Sequence, residues 1–202
     1  MRVSPVTLSN SGFMNNYTAL SFANMMYYAG ASQIPCREIL CYDNHPISYA
    51  RNAAVQEFLL DKNNTHLLFL DSDVIVPMDI IPRMLKHDKL VVSGWYNGRG
   101  NRKPLIFKKV NNAWACVTDE AIKSWGDKLT PVDGVAAGCL MIKRELFDVI
   151  NTAEPFKEKT GMIHGDAFTG EDLYFCDLVM KEGIQMYLDP TLRCLHHHWT
   201  LL

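Results

Sequence analysis

The clearest pattern in the chain is an apolar run that ends in two acidic residues. Residues 67–70 are Leu-Leu-Phe-Leu, and Asp71, Ser72 and Asp73 follow. An unbroken apolar run of this length predicts a strand that is buried on both faces, as in a parallel sheet covered by helices. Because side chains alternate along a strand, we expect Asp71 and Asp73 to point to the same side at its carboxyl end.

Short apolar runs alternate with helical patterns along the rest of the chain. Strands are predicted near residues 2–7, 39–42, 90–93, 132–142 and 184–188, and helices near 16–28, 48–60, 79–86, 143–150 and 171–182. Alternation of this kind predicts an α/β fold, a three-layer α/β/α sandwich with a mostly parallel central sheet, in a single domain over residues 1–202. Open sheets of this class bind ligands at the carboxyl ends of their strands, which is where Asp71 and Asp73 are expected.

Two carboxylates this close need a compensating charge. Like charges a few ångströms apart disfavour ionisation unless a cation lies beside them. Hard divalent ions such as Mg²⁺ and Mn²⁺ choose oxygen ligands and often bridge to a phosphate. The pattern therefore predicts a site for a metal ion and a diphosphate. The alternative is a strand end followed by an Asp-rich turn that caps the next helix.

Two further charged positions lie near predicted helix starts. Ser48 is the expected N-cap of a helix to about Leu60, which puts Arg51 in its first turn, where the macrodipole disfavours a cation. Arg51 therefore has an anionic partner or is a solvated side chain. Glu171 and Asp172 open a later helix, where negative charge is stabilised, so we expect a lowered carboxyl pKa or plain helix capping.

Three consecutive histidines follow the last predicted strand, at positions 196–198. Because alternate residues of a strand share a side, His196 and His198 could face one ion together, and a zinc site is an alternative. Trp95, Tyr96 and Trp125 could stack on sugar rings or belong to the core.

Composition excludes several classes of partner. The 202 residues are 48% hydrophobic and 21% charged with a net charge of −2, so nothing indicates nucleic acid or an anionic membrane as a partner. The start has no apolar segment typical of a secretory signal, and no apolar run reaches the length of a transmembrane segment, so a cytoplasmic protein is expected. The six cysteines contain no Cys-x-x-Cys pair and are expected to be mostly free thiols.

The order of these features resembles the GT-A nucleotide-sugar glycosyltransferases, particularly the small family-2-like proteins. The resemblance covers nearly the whole chain and rests on a series of short motifs. They lie at residues 48–52, 65–73, 91–96, 134–139 and 170–172, with a histidine after the last strand.

The resemblance implies a metal site. Asp71 and Asp73 match the family's Asp-x-Asp, with Asp73 as a direct ligand and Asp71 facing the ribose or the metal through water. His196 falls where family members place a further ligand, and His198 competes for that role. A set of carboxylates and imidazole suits Mn²⁺ at least as well as Mg²⁺.

The resemblance also implies a donor and an acceptor side. The remaining matches are Pro5, Val6 and Thr7 at the wall of the nucleotide base, Arg51 at the nucleotide or its phosphates, Gly138 under the donor sugar, and Glu171 with Asp172 at the acceptor. The implied substrates are a UDP- or GDP-sugar and an unknown acceptor, which is a glycan, a lipid, a protein or a small molecule.

The implied reaction is sugar transfer to an acceptor hydroxyl. A metal ion neutralises the diphosphate leaving group, and Asp172 or Glu171 could take the hydroxyl proton if the reaction inverts. One alternative is a phosphatase of the haloacid dehalogenase type with Asp71 as nucleophile. Another is a non-catalytic protein that binds nucleotide sugars.

Overall fold

The fold alternates strands and helices through most of its length. A computed structural model describes residues 1–9, 13–43, 45–100, 102–111, 113–158 and 170–197. The helices are α1 (Asn16–Ala31), α2 (Ile47–Leu60), α3 (Ile80–Lys86), α4 (Asp119–Ser124), α5 (Arg144–Ile150) and α6 (Glu171–Lys181). The strands are β1 (Val3–Ser9), β2 (Leu40–Asp43), β3 (His66–Asp71), β4 (Val74–Ile75), β5 (Val91–Trp95), β6 (Ile106–Val110), β7 (Ala113–Cys116), β8 (Thr130–Val132), β9 (Gly134–Val135), β10 (Cys139–Lys143), β11 (Met186–Arg193) and β12 (Leu195–His196).

A central sheet organises the described residues. It has seven strands in the order β2-β1-β3-β10-β5-β11-β8. β1 pairs in parallel with β2 and β3, and β5 pairs in parallel with β11. β10 is antiparallel to β3 and β5, and β8 is antiparallel to β11. Only β10 and β8 therefore oppose the common direction in this sheet, and the predicted mostly parallel sheet is confirmed.

The core lies on both faces of this sheet, and β3 shows why. Leu67 and Phe69 pack in a cluster with apolar side chains of α2, α5 and α6, whereas Leu68 and Leu70 pack in another with those of α1 and α3. Alternate residues of one strand thus enter opposite layers. Burial on both faces explains why the run from 67 to 70 has no polar residue, and it confirms the α/β/α sandwich.

The segment predicted as one strand over residues 132–142 is divided into three. β8 and β10 lie in the central sheet, while β9 pairs with β6 in a small sheet with β7. A Cβ on Gly134 would come within 2.9 Å of the Trp114 ring, so close packing against this small sheet requires the glycine. The break between β9 and β10 brings Gly138 to the end of β3.

Helix α2 begins earlier than its sequence indicates. Its N-cap is Pro46, and no side chain caps it, so the expectation of a Ser48 cap is wrong. Proline suits a helix start because it has no N–H that needs a partner. The earlier start places Arg51 in the second turn, on the side that faces the core.

Two expectations of a general kind concern thiols and membranes. All six cysteines are free thiols, as predicted. Across the described parts of the chain, no helix combines the length and the apolar character that crossing a membrane requires.

Candidate active site

The site lies at the carboxyl end of β3, where several chain segments meet. Asp71 is the last residue of β3, and its N–H donates to the Gly138 carbonyl over 3.0 Å. Asp73 lies in the turn that leads to β4. The strand therefore ends before Asp73, so strand alternation does not set its direction, and the expectation that both aspartates share a side for that reason is wrong. The two carboxylates have different partners.

Asp71 belongs to a cluster of three carboxylates around the guanidinium of Arg51. Arg51 Nη2 donates to Asp71 Oδ1 over 3.2 Å, and Nε donates to Glu171 Oε1 over 3.3 Å. Asp172 Oδ1 lies 3.5 Å from the same Nε. Because α2, β3 and α6 each contribute a charged side chain, this cluster ties three elements together. We call it the Arg51 cluster.

The guanidinium of Arg51 is enclosed by aromatic rings as well as by carboxylates. Its side chain is 1% exposed, and Cζ lies 5.2 Å from the centre of the Phe69 ring and 5.9 Å from that of Phe156. Burial alone would lower the pKa of this guanidinium, but the three carboxylates outweigh that effect and raise it. Arg51 is therefore a permanent cation, and its anionic partners here are carboxylates of its own chain.

Asp172 is the member of the cluster with the most altered acidity. Burial raises the pKa of its carboxyl to about 7; Arg51 opposes the shift, while Glu171 and Asp71 add to it. The expectation that the helix N-terminus would lower this pKa is wrong, because desolvation and two neighbouring carboxylates outweigh the helix dipole. A carboxyl with a pKa near neutrality suits general acid–base chemistry.

Asp73 faces a histidine from the far end of the chain. β12 pairs antiparallel with β4, with His196 opposite Val74, and the His197 N–H donates to the Asp73 carbonyl over 2.8 Å. This pairing places His196 Nε2 3.3 Å from Asp73 Oδ2. The sheet contact thus brings together two side chains that the sequence separates widely.

The orientation of the His196 ring is fixed by its other nitrogen. Nδ1 lies 2.9 Å from the Asn97 carbonyl, so Nδ1 carries the proton and donates it, which leaves a lone pair on Nε2. Burial and the nearby Arg99 lower the pKa of this imidazole, against the effect of the Asn97 bond. A neutral ring whose Nε2 lone pair points toward a carboxylate is the state in which histidine binds metal ions.

A second arginine lies against this pair. Arg99 Nε donates to His196 Nε2 over 3.2 Å, and Arg99 Nη2 contacts Asp73 Oδ2. Unlike Arg51, its side chain is 59% exposed. We call Asp73, His196 and Arg99 the Arg99 cluster.

Gly138 separates the carboxylate of Asp71 from the hydroxyl of Tyr96. The Gly138 N–H donates to Tyr96 Oη over 3.0 Å. A Cβ on Gly138 would overlap Tyr96 Oη and Asp71 Oδ2, and would lie 2.8 Å from Asp71 Cγ. No side chain larger than hydrogen therefore fits beside Asp71, and the position needs glycine for close approach.

The donor atoms of the Arg99 cluster fit a divalent ion. Bonds of about 2.0–2.2 Å to one ion place neighbouring ligand atoms about 3.0–3.4 Å apart, depending on geometry. The 3.3 Å between Asp73 Oδ2 and His196 Nε2 lies in this range, and the guanidinium of Arg99 already provides a cation there. Within the described ranges no group of three or more His, Cys, Asp or Glu side chains could hold an ion by itself.

Comparisons with known proteins add the fold family. No protein-family model and no curated protein matches the sequence. Among solved structures, A197 from STIV has a TM-score of 0.59 at 22% identity, over 98% of this chain and 87% of that one. GalNAc-T7, solved with UDP, GalNAc and Mn²⁺, has a TM-score of 0.59 at 13% identity, over 98% of this chain and 44% of its own.

The chain has a GT-A glycosyltransferase fold. Identities this low show the fold alone, and the chain spans less than half the length of GalNAc-T7. Membership of family 2 stays a prediction.

Several residues predicted for the site lie outside the two clusters. Pro5 and Thr7 are buried in the middle of β1, which pairs with strands on both sides, and their role at the base stays a prediction. His198 lies outside the described residues. Trp95 and Tyr96 are buried, and Trp95 Nε1 donates to the Pro190 carbonyl over 2.8 Å, so both belong to the core.

Sequence reasoning missed three contributors to the site. No pattern in the sequence indicates Arg99, although it lies between two glycines in the loop that follows β5, and such loops often carry binding residues. Asn97 acts through its backbone carbonyl, which no residue pattern reveals. Phe156 is held next to Arg51 by two bonds with Asn52, of 2.8 and 3.0 Å, and pairs of this kind leave no signal in one sequence.

Proposed function

We propose that this protein is a metal-dependent glycosyltransferase that moves a sugar from a UDP- or GDP-sugar to an acceptor hydroxyl. The observation that carries the proposal is the pair of Asp73 Oδ2 and His196 Nε2, 3.3 Å apart at the carboxyl end of β3. Open α/β sheets bind ligands at this edge. GalNAc-T7, which shares the fold, was solved with UDP, GalNAc and Mn²⁺.

Asp73 and His196 would hold the metal ion directly, and Asp71 would reach it through water. A bound Mn²⁺ or Mg²⁺ supplies Lewis-acid neutralisation of the diphosphate as it leaves the sugar. The mixed oxygen and nitrogen ligands suit Mn²⁺ somewhat better. Asp71 keeps its place because Arg51 holds Oδ1, at 3.2 Å, and the Gly138 carbonyl holds its N–H. His198 remains a candidate for a further ligand.

Asp172 is the best candidate for the group that takes the proton of the acceptor hydroxyl. Its carboxyl pKa of about 7 allows it to accept a proton near neutral pH and release it later. Its side chain is 23% exposed, whereas that of Glu171 is 12% exposed and accepts a hydrogen bond from Arg51 Nε over 3.3 Å. We therefore assign Asp172 as the base and Glu171 as the residue that positions Arg51.

The donor would lie across Gly138 and the end of β1. Gly138 lets the Asp71 carboxylate and the Tyr96 hydroxyl pack against its backbone, which holds Asp71 beside the proposed donor position. Thr7 Oγ1 is buried and, among the described residues, has no hydrogen-bond partner. A polar group of the nucleotide could satisfy it if β1 opens at its end, which is consistent with Pro5, Val6 and Thr7 as the wall of the base. Arg51 would act on the phosphates through Asp71.

The test is calorimetric titration of the purified protein with Mn²⁺, then with UDP or GDP in the presence of Mn²⁺. We expect binding by the wild type, and at least about tenfold weaker Mn²⁺ binding by Asp73→Asn and by His196→Ala, because each removes a direct ligand. His87→Ala is the matched control, since His87 Nε2 forms a similar pair with Asp189, at 2.9 Å, at another place in the fold. Asp73→Asn protein that binds Mn²⁺ and nucleotide like the wild type would contradict the proposal.

Activity is tested separately with a panel of nucleotide sugars. Donor hydrolysis or transfer that depends on Asp172 supports an enzyme. Nucleotide-sugar binding without turnover across the panel would favour the non-catalytic alternative. The GT-A fold gives no support to a phosphatase, and turnover of an aryl phosphate that is lost in Asp71→Asn would be needed to restore that alternative.

A further inference from the structure

The Arg99 cluster already contains a cation, and that cation belongs to the chain. The two atoms assigned to a metal ion, Asp73 Oδ2 and His196 Nε2, are the same two atoms that face the guanidinium of Arg99. A carboxylate oxygen and the lone pair of a neutral imidazole nitrogen can be used by a guanidinium or by a divalent ion. The single lone pair of His196 Nε2 cannot serve both cations at once.

When a diphosphate binds, the balance of charge favours replacement of the Arg99 guanidinium by a divalent ion. With Arg99 in place, its single positive charge balances the single negative charge of Asp73. A diphosphate brings further negative charge that a lone guanidinium cannot balance, whereas a divalent ion with the guanidinium beside it can. Arg51 cannot balance the charge of the diphosphate, because its own charge is already shared by Asp71, Glu171 and Asp172.

The surroundings of Arg99 allow it to leave without disturbing the fold. Its side chain is 59% exposed and lies at the tip of a short loop. The base of that loop is closed by a bridge between Asn97 and Pro104 and by the Gly98 N–H, which donates to the Lys103 carbonyl over 2.8 Å. His196 Nδ1 also bonds to the Asn97 carbonyl, so the ring stays oriented when the guanidinium moves away.

We propose that Arg99 is a tethered cation that occupies the metal position in the metal-free protein and must leave before the metal binds. The proposal rests on the proposed function, because it takes Asp73 and His196 as the metal ligands. In this arrangement Arg99 neutralises Asp73 when no metal is present, and the metal ion must displace it to bind. The apparent affinity for metal is lowered by the fraction of molecules in which Arg99 blocks the site.

The test compares Arg99→Gln with Arg102→Gln, using MnCl₂ alone as the probe and no nucleotide. Arg102 is an exposed arginine of the same loop, so its substitution removes the same charge without removing the contact. We expect Arg99→Gln to bind Mn²⁺ about fivefold more tightly than the wild type, equivalent to about 1 kcal/mol, and Arg102→Gln to bind it unchanged. Thermal unfolding should show a larger Mn²⁺-induced rise in Tm for Arg99→Gln.

The outcomes separate this inference from the proposed function. Equal Mn²⁺ affinity in Arg99→Gln and the wild type would overturn the tethered cation and leave the metal site intact. Equal tightening by both variants would also overturn it, because a general charge effect would then explain the change. Weaker binding in Arg99→Gln would show that Arg99 assists the metal rather than competing with it. If neither the wild type nor Arg99→Gln binds Mn²⁺, the inference and the metal-dependent function fall together.

Discussion

Two arginines stand beside the two aspartates of this site, and their surroundings are opposite. Arg51 is 1% exposed, lies near two aromatic rings and is shared by Asp71, Glu171 and Asp172. Arg99 is 59% exposed and contacts Asp73 and His196 from a loop. Each guanidinium neutralises one aspartate of the pair at residues 71 and 73.

This difference in burial between the two arginines gives the two aspartates different roles. Asp71 is committed to a buried ion network, and breaking such a network leaves uncompensated charge in a medium of low dielectric. Asp73 is neutralised by a cation near solvent, where an ion pair contributes little and exchanges easily. We therefore expect Asp73 to respond to ligands, whereas Asp71 holds the strand end and the helices in register.

The largest effect is expected from Arg51→Met, which keeps the length of the side chain and removes its charge. Three carboxylates would lose their common cation, so the free energy of unfolding should fall by about 3–5 kcal/mol. Denaturant unfolding monitored by circular dichroism measures this. Arg37→Met is the control, because Arg37 pairs with the more exposed Glu38 and Glu57, and it should lose about 0–1 kcal/mol. Equal losses in the two variants would remove the distinction between an arginine with enclosed carboxylate partners and one with exposed partners.

Gly138→Ala should have the next largest effect. The new methyl group would overlap Asp71 Oδ2 and Tyr96 Oη, and the overlap in a packed region should destabilise the fold by about 1–3 kcal/mol. It would also push the Asp71 carboxylate away from its bond with Arg51 and, under the proposed function, away from the metal position that Asp71 reaches through water. Unfolding and Mn²⁺ titration measure the two consequences. Gly30→Ala is the control, because a Cβ there meets no atom within 4 Å.

The comparison also shows how far the sequence could predict this site. The apolar run before Asp71 indicated the buried strand and its position in the sheet, because its lack of polar residues follows from burial on both faces. It could not indicate that the strand ends at Asp71, since a two-residue turn and an alternating strand have similar residue patterns. The different partners of Asp71 and Asp73 follow from that turn.

The burial of Arg51 and Asp172 also could not be predicted from the sequence. Arg51 was expected near an anion or in solvent, and its helix start was misplaced because Pro46 rather than Ser48 precedes the first turn. The pKa of Asp172 was expected to fall at a helix start, yet it rises because side chains distant in sequence surround it. Local rules describe a helix terminus in water, whereas this one is enclosed by the fold.

A smaller, pH-dependent effect is expected from Asp172→Asn in the metal-free protein. The Asp172 carboxyl has a folded pKa of about 7, above its unfolded value, so the folded wild type retains a proton that the unfolded chain loses. The contribution of Asp172 to stability therefore falls as pH rises from about 4 to about 7 and is level above that. The stability of Asp172→Asn relative to the wild type should increase over this range by more than about 1 kcal/mol, as measured by denaturant unfolding at several pH values.

Asp189→Asn provides a control of opposite sign. Bonds from Thr191 and His87, with Arg83 nearby, lower the pKa of the Asp189 carboxyl despite its burial. Its ionised form therefore stabilises the fold above the unfolded pKa, and the contribution is lost as pH falls through the folded pKa. Asp189→Asn should be destabilised at neutral pH and approach the wild type in acid. The same pH trend in both variants would contradict the assigned cause.

The smallest effect on stability is expected from Arg99→Met, the exposed counterpart of Arg51→Met. An ion pair this close to solvent contributes about 0–1 kcal/mol, so the metal-free variant should unfold almost like the wild type. Removal of the guanidinium nevertheless exposes Asp73 Oδ2 and His196 Nε2 to any cation in solution. Denaturant unfolding measures this. With a chelator, the free energies of unfolding of Arg99→Met and the wild type should differ little, whereas with Mn²⁺ the variant should be more stable than the wild type. A loss with chelator as large as that of Arg51→Met would mean that Arg99 is structural, and the two arginines would then differ in exposure but not in role.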